Sequence, residues 1–122
     1  RFVDNIINIC GIHPRHRNYE AFKKIIENEV NRVKFNSIKD IKILCNGRWA
    51  LMHQYNLLNI NPTVNFPELK ENIKFTDENF GEVFNMEDII LNRGSHIIYR
   101  QPNGFIFRYS SGDYHYRLYF YK

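Results

Sequence analysis

Two histidines and three arginines near the C-terminal end recur at intervals that would let them act together on a phosphate group. They alternate along three segments with strand-like patterns, so an antiparallel sheet would bring five side chains to one face: His96, Arg100, Arg108, His115 and Arg117. Mutual repulsion makes such a cluster unfavourable unless water or an anion screens it. A phosphodiester is the natural occupant. The alternative is a solvated outer sheet face, in which Arg and Tyr stems cover the strands.

Two imidazoles beside a phosphate can perform acid–base chemistry without a metal ion. One takes the proton from a ribose 2′-hydroxyl and the other protonates the leaving 5′-oxygen. Arginines stabilise the charge that develops on the phosphorus centre. A carboxylate can replace one of the imidazoles as the base. This chemistry predicts RNA as the partner and requires no cofactor.

A second basic cluster, His13-Pro14-Arg15-His16-Arg17, lies between two predicted helices. It could bind a phosphate backbone, but an exposed loop ahead of a helix is the favoured interpretation. Trp49 and His53 are interpreted as packing or helix-surface residues. Sequence motifs of ATPases, dehydrogenases and metalloproteases do not occur.

The composition is that of a basic single domain. The 122 residues suit one domain, and the 43% hydrophobic and 16% aromatic fractions argue against a disordered chain. Lys and Arg number 17 against 13 acidic residues, and this excess favours a polyanionic partner. Cys10 and Cys45 are predicted to be buried thiols, with a disulfide between them left open. No apolar run approaches the ~20 residues that span a bilayer. The start at Arg1 rather than Met predicts a piece of a longer protein.

Helices are predicted in the first half of the chain. Phe2–Cys10 has helical apolar spacing, and Gly11 is a natural stop. Asn18 is a suitable N-cap for an amphipathic helix that continues to Val33. Ser37-Ile38-Lys39-Asp40 resembles a capping box and predicts another helix. Further along, the sequence allows helix or strand at Ile41–Cys45 and predicts a hairpin turn at Asn46-Gly47 and a helix at Arg48–Leu58. Short strands are predicted at Asn72–Thr76 and Glu82–Asn85, and the apolar segment Met86–Leu91 is compatible with helix or strand.

Three strands with short turns form a predicted antiparallel meander over Ser95–Arg100, Phe105–Tyr109 and Tyr114–Lys122. Their alternation predicts an apolar face that the helices cover, made of Ile97, Tyr99, Phe105, Phe107, Tyr109, Tyr116, Leu118 and Phe120. The predicted fold class is therefore α+β, with N-terminal helices packed on a C-terminal antiparallel sheet.

The last third of the chain also resembles a known family. The segments Arg93-Gly94-Ser95-His96-Ile97-Ile98-Tyr99 and Ser111-Gly112-Asp113-Tyr114-His115-Tyr116 resemble the C-terminal strands of the barnase-like, guanyl-specific microbial ribonucleases. The wider group includes EndoU-type nucleases and bacterial toxin tips. The resemblance implies Glu82 as base, His115 as acid and Arg93 as phosphate ligand. It also implies that His96 stands where the family has a second Arg, and that Arg100 or Arg108 would supply the missing positive charge.

The expected function is a metal-independent endoribonuclease, as the effector domain of a toxin. Its expected site of action is the cytoplasm, with secretion as part of a longer chain left open. RNA and an acidic immunity or inhibitor protein are the expected partners, and neither a cofactor nor a membrane is expected. The alternative is a non-catalytic module that binds nucleic acid or protein within a larger viral, phage or bacterial protein.

Overall fold

A computed structural model describes residues 2–47, 64–65, 89–111 and 114–122. The predicted α+β class is confirmed, because two N-terminal helices precede a sheet whose C-terminal strands are antiparallel. The helices are α1 (Phe2–Ile9) and α2 (Tyr19–Val33), followed by a 3-10 turn at Ile38–Asp40. The strands of the described part are β1 (Lys42–Gly47), β2 (Val64–Asn65), β3 (Ile89–Arg93), β4 (His96–Gln101), β5 (Gly104–Ser111) and β6 (Tyr114–Tyr121).

The strands form one sheet in the order β2-β1-β6-β5-β4-β3. Strands β3 to β6 are the antiparallel meander, which is one strand longer than the sequence predicts. Strand β1 adds to the sheet antiparallel to β6, and β2 pairs parallel to β1. The meander therefore lies beside strands from the middle of the chain.

Both predicted N-terminal helices form and cover one face of the sheet. Their apolar stripes are buried in the same core as residues of β1, β4, β5 and β6. Helix α1 ends at Ile9, and Gly11 lies two residues beyond it with a φ of 78°, which suits glycine. The Ile12 N–H donates to the Ile7 carbonyl at 3.2 Å and so caps the end of the helix. Asn18 is the N-cap of α2, as predicted, but its side chain makes no capping hydrogen bond. In the described part of the chain, no helix has the length and apolar character needed to cross a bilayer.

The segment after α2 differs from the prediction in two places. The capping-box pattern at Ser37 leads only to the 3-10 turn, and Ser37 makes no capping hydrogen bond. Strand β1 then resolves the open choice at Ile41–Cys45 in favour of a strand for most of that segment. It continues through Asn46 and Gly47, which pair with β6, so the predicted hairpin turn there is wrong. The pairing with β6 and the burial of Ile41 and Ile43 outweigh the local turn preference.

Three other predicted segments, Arg48–Leu58, Asn72–Thr76 and Glu82–Asn85, lie outside the described residues. Within the apolar segment Met86–Leu91, the residues from Ile89 onward belong to β3.

The face of β4 that packs against the helices is the opposite of the predicted one. Ile98 pairs with Phe107, and both are fully buried in the core beneath the helices. Tyr99 instead pairs with Ile106, and these two form a separate cluster on the other face. Because Ile97, Ile98 and Tyr99 are all apolar, the sequence pattern does not determine which face of this strand packs against the helices. The two-residue connection between β4 and β5 sets the register and so selects the face.

Candidate active site

His96 lies on the helix-covered side of the sheet, because β4 packs against the helices with the face opposite to the predicted one. There it contacts a second histidine. The rings of His16 and His96 lie edge to face, with centroids 5.2 Å apart. Phe22 of α2 contacts both rings, at 5.9 Å from His16 and 5.4 Å from His96. Tyr109 and Phe107 of β5 pack on the other sides of His96, at 4.9 and 5.8 Å. Aromatic contacts therefore hold the two imidazoles together.

The loop between α1 and α2 positions His16. The His16 N–H donates to the His13 carbonyl at 2.8 Å, and the His16 carbonyl accepts from the Tyr19 N–H at 2.9 Å. The ring is also held, because its Nδ1 accepts the Asn18 backbone N–H at 3.1 Å. Neutral His16 thus carries its proton on Nε2, which remains available to a ligand.

The tight turn between β3 and β4 positions His96. Gly94 in this turn has a φ of 63°, and His96 is the first residue of β4. Its Nδ1 lies 3.5 Å from the Ser95 hydroxyl oxygen. Burial lowers the pKa of His96 below the ordinary value of 6.5, and the neighbouring charge of His16 lowers it further. His96 is therefore suited to be the neutral member of the pair, which is the state a general base requires.

Arg93 is directly opposite His96 in the β3–β4 register. Side chains at such paired positions have Cβ atoms about 4.5–5.5 Å apart on the same face. Arg93 is exposed, and so are Arg15 and Arg17 on either side of His16 in the loop. Within the described ranges, neither imidazole has a carboxylate as a hydrogen-bond or ion-pair partner. We define His16, His96 and Arg93 as the candidate active site, which is partly exposed and positively charged.

The spacing of the two imidazoles suits a shared phosphate. When two nitrogens each donate a charge-assisted hydrogen bond of about 2.8 Å to oxygens of the same phosphate, the two nitrogens lie roughly 5 to 7 Å apart. Rings with centroids 5.2 Å apart can present nitrogens at such a separation. One ring can accept a proton while the other donates one.

The structure separates His96 from most of the residues predicted to act with it. Position 115 pairs with Ser110, whereas His96 pairs with Tyr109. Because Tyr109 and Ser110 are consecutive in β5, the backbone register assigns positions 96 and 115 to opposite faces of the sheet. The expectation that the two histidines share a face is therefore wrong. Glu82 and the side chain of His115 lie outside the described part, and the roles assigned to them remain predictions.

The predicted phosphate ligand Arg100 is engaged elsewhere. It shares the helix-covered face with His96 but lies four residues along β4, or about 13 Å away. Its Nη2 donates to Oε2 of the buried Glu29 at 2.8 Å. This hydrogen bond raises the pKa of Arg100. Arg100 therefore links β4 to α2, and it shares the single carboxylate of Glu29 with Arg32.

Arg108 and Arg117 pair with each other across β5 and β6 on the opposite face. Ile106 and Tyr99 lie on this face and are 0% and 3% exposed. The centre of this face is therefore buried, and the alternative prediction of a solvated outer face does not hold there. Both arginines are partly buried, and Nη1 of Arg108 donates to the Tyr99 hydroxyl at 3.4 Å. Neither shares a face with His96.

His16 is the residue that sequence reasoning missed. The basic cluster around Pro14 carries a signal, because its charges predict a possible phosphate contact, but no local pattern pairs His16 with His96. Its relation to His96 depends on how the loop folds against the end of the sheet, across 80 residues of chain.

No protein family model, curated protein or solved structure matches this chain. Among the side chains that the structure describes, no group of three or more His, Cys, Asp or Glu is arranged to hold a metal ion. Cys10 is a buried thiol, as predicted. The geometry of the candidate active site must therefore support any functional conclusion by itself.

Proposed function

We propose that this domain is a metal-independent endoribonuclease in which His16 and His96 form the acid–base pair and Arg93 binds the phosphate. The observation that carries the proposal is the contact between two partly exposed imidazoles beside an exposed guanidinium. The predicted reaction class is retained, while His16 takes the place that the sequence assigned to His115.

The partial burial of His96 beneath α2, which lowers its pKa, favours His96 as the base of the pair. Neutral His96 accepts the proton of a ribose 2′-hydroxyl, and the 2′-oxygen attacks the adjacent phosphorus. The bond from phosphorus to the 5′-oxygen breaks as His16 donates its Nε2 proton to that oxygen. To act as this acid, His16 must be protonated on both ring nitrogens, so its Nδ1 releases the hydrogen bond from the Asn18 N–H. The products are a 2′,3′-cyclic phosphate and a free 5′-hydroxyl. Arg93 stabilises the charge on the non-bridging oxygens during the transfer.

The test is cleavage of an end-labelled single-stranded RNA in the presence of EDTA. We expect products with 2′,3′-cyclic phosphate ends, and no cleavage at a linkage whose 2′-hydroxyl is replaced by hydrogen. His16→Ala and His96→Ala should each lower the rate by about 10²- to 10⁴-fold, the range for loss of a general acid or base. His13→Asn is the matched control, because this exposed histidine of the same loop has no ring contact with His96 among those described. The Asn side chain can still accept the Arg15 N–H, which the Nδ1 of His13 accepts at 3.0 Å.

Two results would contradict the proposal in different ways. Retained activity in His16→Ala together with lost activity in His115→Ala would reject His16 as the partner. RNA binding without cleavage by the unmodified protein would favour the non-catalytic binding module. A pH–rate profile provides a further check, because activity should persist to below pH 6.5 before protonation of His96 removes the base.

A further inference from the structure

An open groove of about 540 Å³ lies between α2 and the edge strand β3. Ala21, Lys24 and Ile25 form the helix side, and residues 89–93 form the strand side. The α2–β3 groove ends beside the candidate active site, because Arg93 lines it and pairs with His96. On the helix side, Ala21 is next to Phe22, whose ring contacts His96.

The groove has an apolar floor and a positively charged rim. Ile25, Ile90 and Leu91 supply aliphatic surface, while Lys24 and Arg93 are both exposed. None of the described residues that line the groove is acidic. A nucleotide matches this combination, because its base can rest on apolar surface while cations bind its phosphates.

We propose that the α2–β3 groove binds the nucleotide next to the scissile phosphate, and that the substrate is single-stranded RNA. This inference rests on the proposed ribonuclease function, since it gives the groove the role of a subsite of the same active site. A base can lie on the groove floor only when it is unpaired and unstacked. Lys24 then binds the phosphate on the far side of that nucleotide, and Arg93 binds the phosphate that reacts.

The experiment measures the binding of a fluorescein-labelled, 2′-O-methyl hexanucleotide by fluorescence anisotropy. This probe cannot be cleaved by 2′-hydroxyl attack, so its Kd is independent of catalysis. We expect the single strand to bind at least tenfold more tightly than the same sequence in a duplex. Lys24→Glu should weaken binding about tenfold and lower the slope of log Kd against log salt concentration by about 1, as expected for the loss of one phosphate contact.

Lys39→Glu is the matched control. It makes the same change in net charge at an exposed lysine that does not line the groove. It should leave the salt slope unchanged. Equal weakening by Lys24→Glu and Lys39→Glu, or equal binding of duplex and single strand, would overturn the groove assignment.

The outcomes separate the two proposals. If the unmodified protein cleaves RNA but Lys24→Glu binds like the control, the ribonuclease proposal stands and the groove proposal fails. If no RNA is cleaved but Lys24→Glu selectively weakens binding, the groove is supported as a single-strand site and the catalytic proposal fails.

Discussion

Replacing Glu29 by Gln should lower the free energy of unfolding by about 3 kcal/mol, because it removes a buried negative charge shared by two guanidiniums. Oε1 of Glu29 accepts Nη2 and Nε of Arg32 at 2.8 and 3.0 Å. Oε2 accepts Nη2 of Arg100 at 2.8 Å. Arg32 also donates to the carbonyls of Gln101 and Gly104, at 2.9 and 2.8 Å. Glu29 thus connects α2 to the hairpin between β4 and β5.

The magnitude follows from the burial of the three side chains. Removing one partner of a buried ion pair costs about 3–5 kcal/mol. The Glu29 side chain is 1% exposed, but those of Arg32 and Arg100 are 29% and 49% exposed, so water can solvate the released charges. The lower end of the range therefore applies. Gln is nearly the same size as Glu, so the substitution creates no cavity.

Urea unfolding followed by circular dichroism measures this change. For a domain of this length, about 3 kcal/mol corresponds to a fall in Tm of roughly 10–15 °C. Glu27→Gln is the matched control, because Glu27 is exposed on the same helix and should change stability by less than about 0.5 kcal/mol.

A double variant tests the reasoning further. Replacing Glu29 and Arg100 together by Met should be less destabilising than Glu29→Met alone, because Arg100 would no longer be left without its carboxylate. A loss below about 1 kcal/mol in Glu29→Gln, the value typical of an exposed pair, would refute the argument. So would a double variant that is as unstable as Glu29→Met.

Three further perturbations test other parts of the domain. A Cβ at Gly104 would lie 1.9 Å from the Phe120 carbonyl oxygen, so Gly104→Ala should cost about 3 kcal/mol. Gly94→Ala, with open space but a φ of 63°, should cost only about 1 kcal/mol; equal losses in urea unfolding would contradict the steric argument. Burial lowers the pKa of His96, so the unfolded chain binds this proton more readily. The free energy of unfolding should be highest above pH 6.5 and fall as the pH drops through the lowered pKa of His96. A plot of Tm against pH that is not flatter for His96→Gln than for the unmodified protein would contradict this prediction. Burial raises the pKa of the Cys10 thiol, so peptide mass spectrometry should find it alkylated by iodoacetamide only after denaturation; rapid labelling of the native protein would show that it is accessible.

Local patterns in the sequence were sufficient to predict the main elements of the fold. The three- and four-residue spacing from Phe22 to Val33 predicts α2, and the turn at Pro102 and Asn103 between apolar strands predicts the β4–β5 hairpin. These predictions hold because each signal lies within one helix or one hairpin. The pair Asn46-Gly47 gave a wrong prediction, because both residues pair with β6. The pattern at Ser37 starts a helical segment as predicted, but that segment is only the 3-10 turn at Ile38–Asp40.

Composition and local patterns were enough to predict a basic α+β domain with imidazoles and guanidiniums near its C-terminal end, and they identified His96 and Arg93 as candidate site residues. Which of these groups meet depends on contacts between residues that are distant in the chain. Strand register, set by contacts to neighbouring strands, placed His96 beneath α2 and beside Arg93. The packing of the loop after α1 then brought His16 to the same place, while the buried carboxylate of Glu29 engaged Arg100. A one-residue change of phase moves a side chain to the other face of a sheet, and no local signal in Ile97 to Tyr99 specifies that phase.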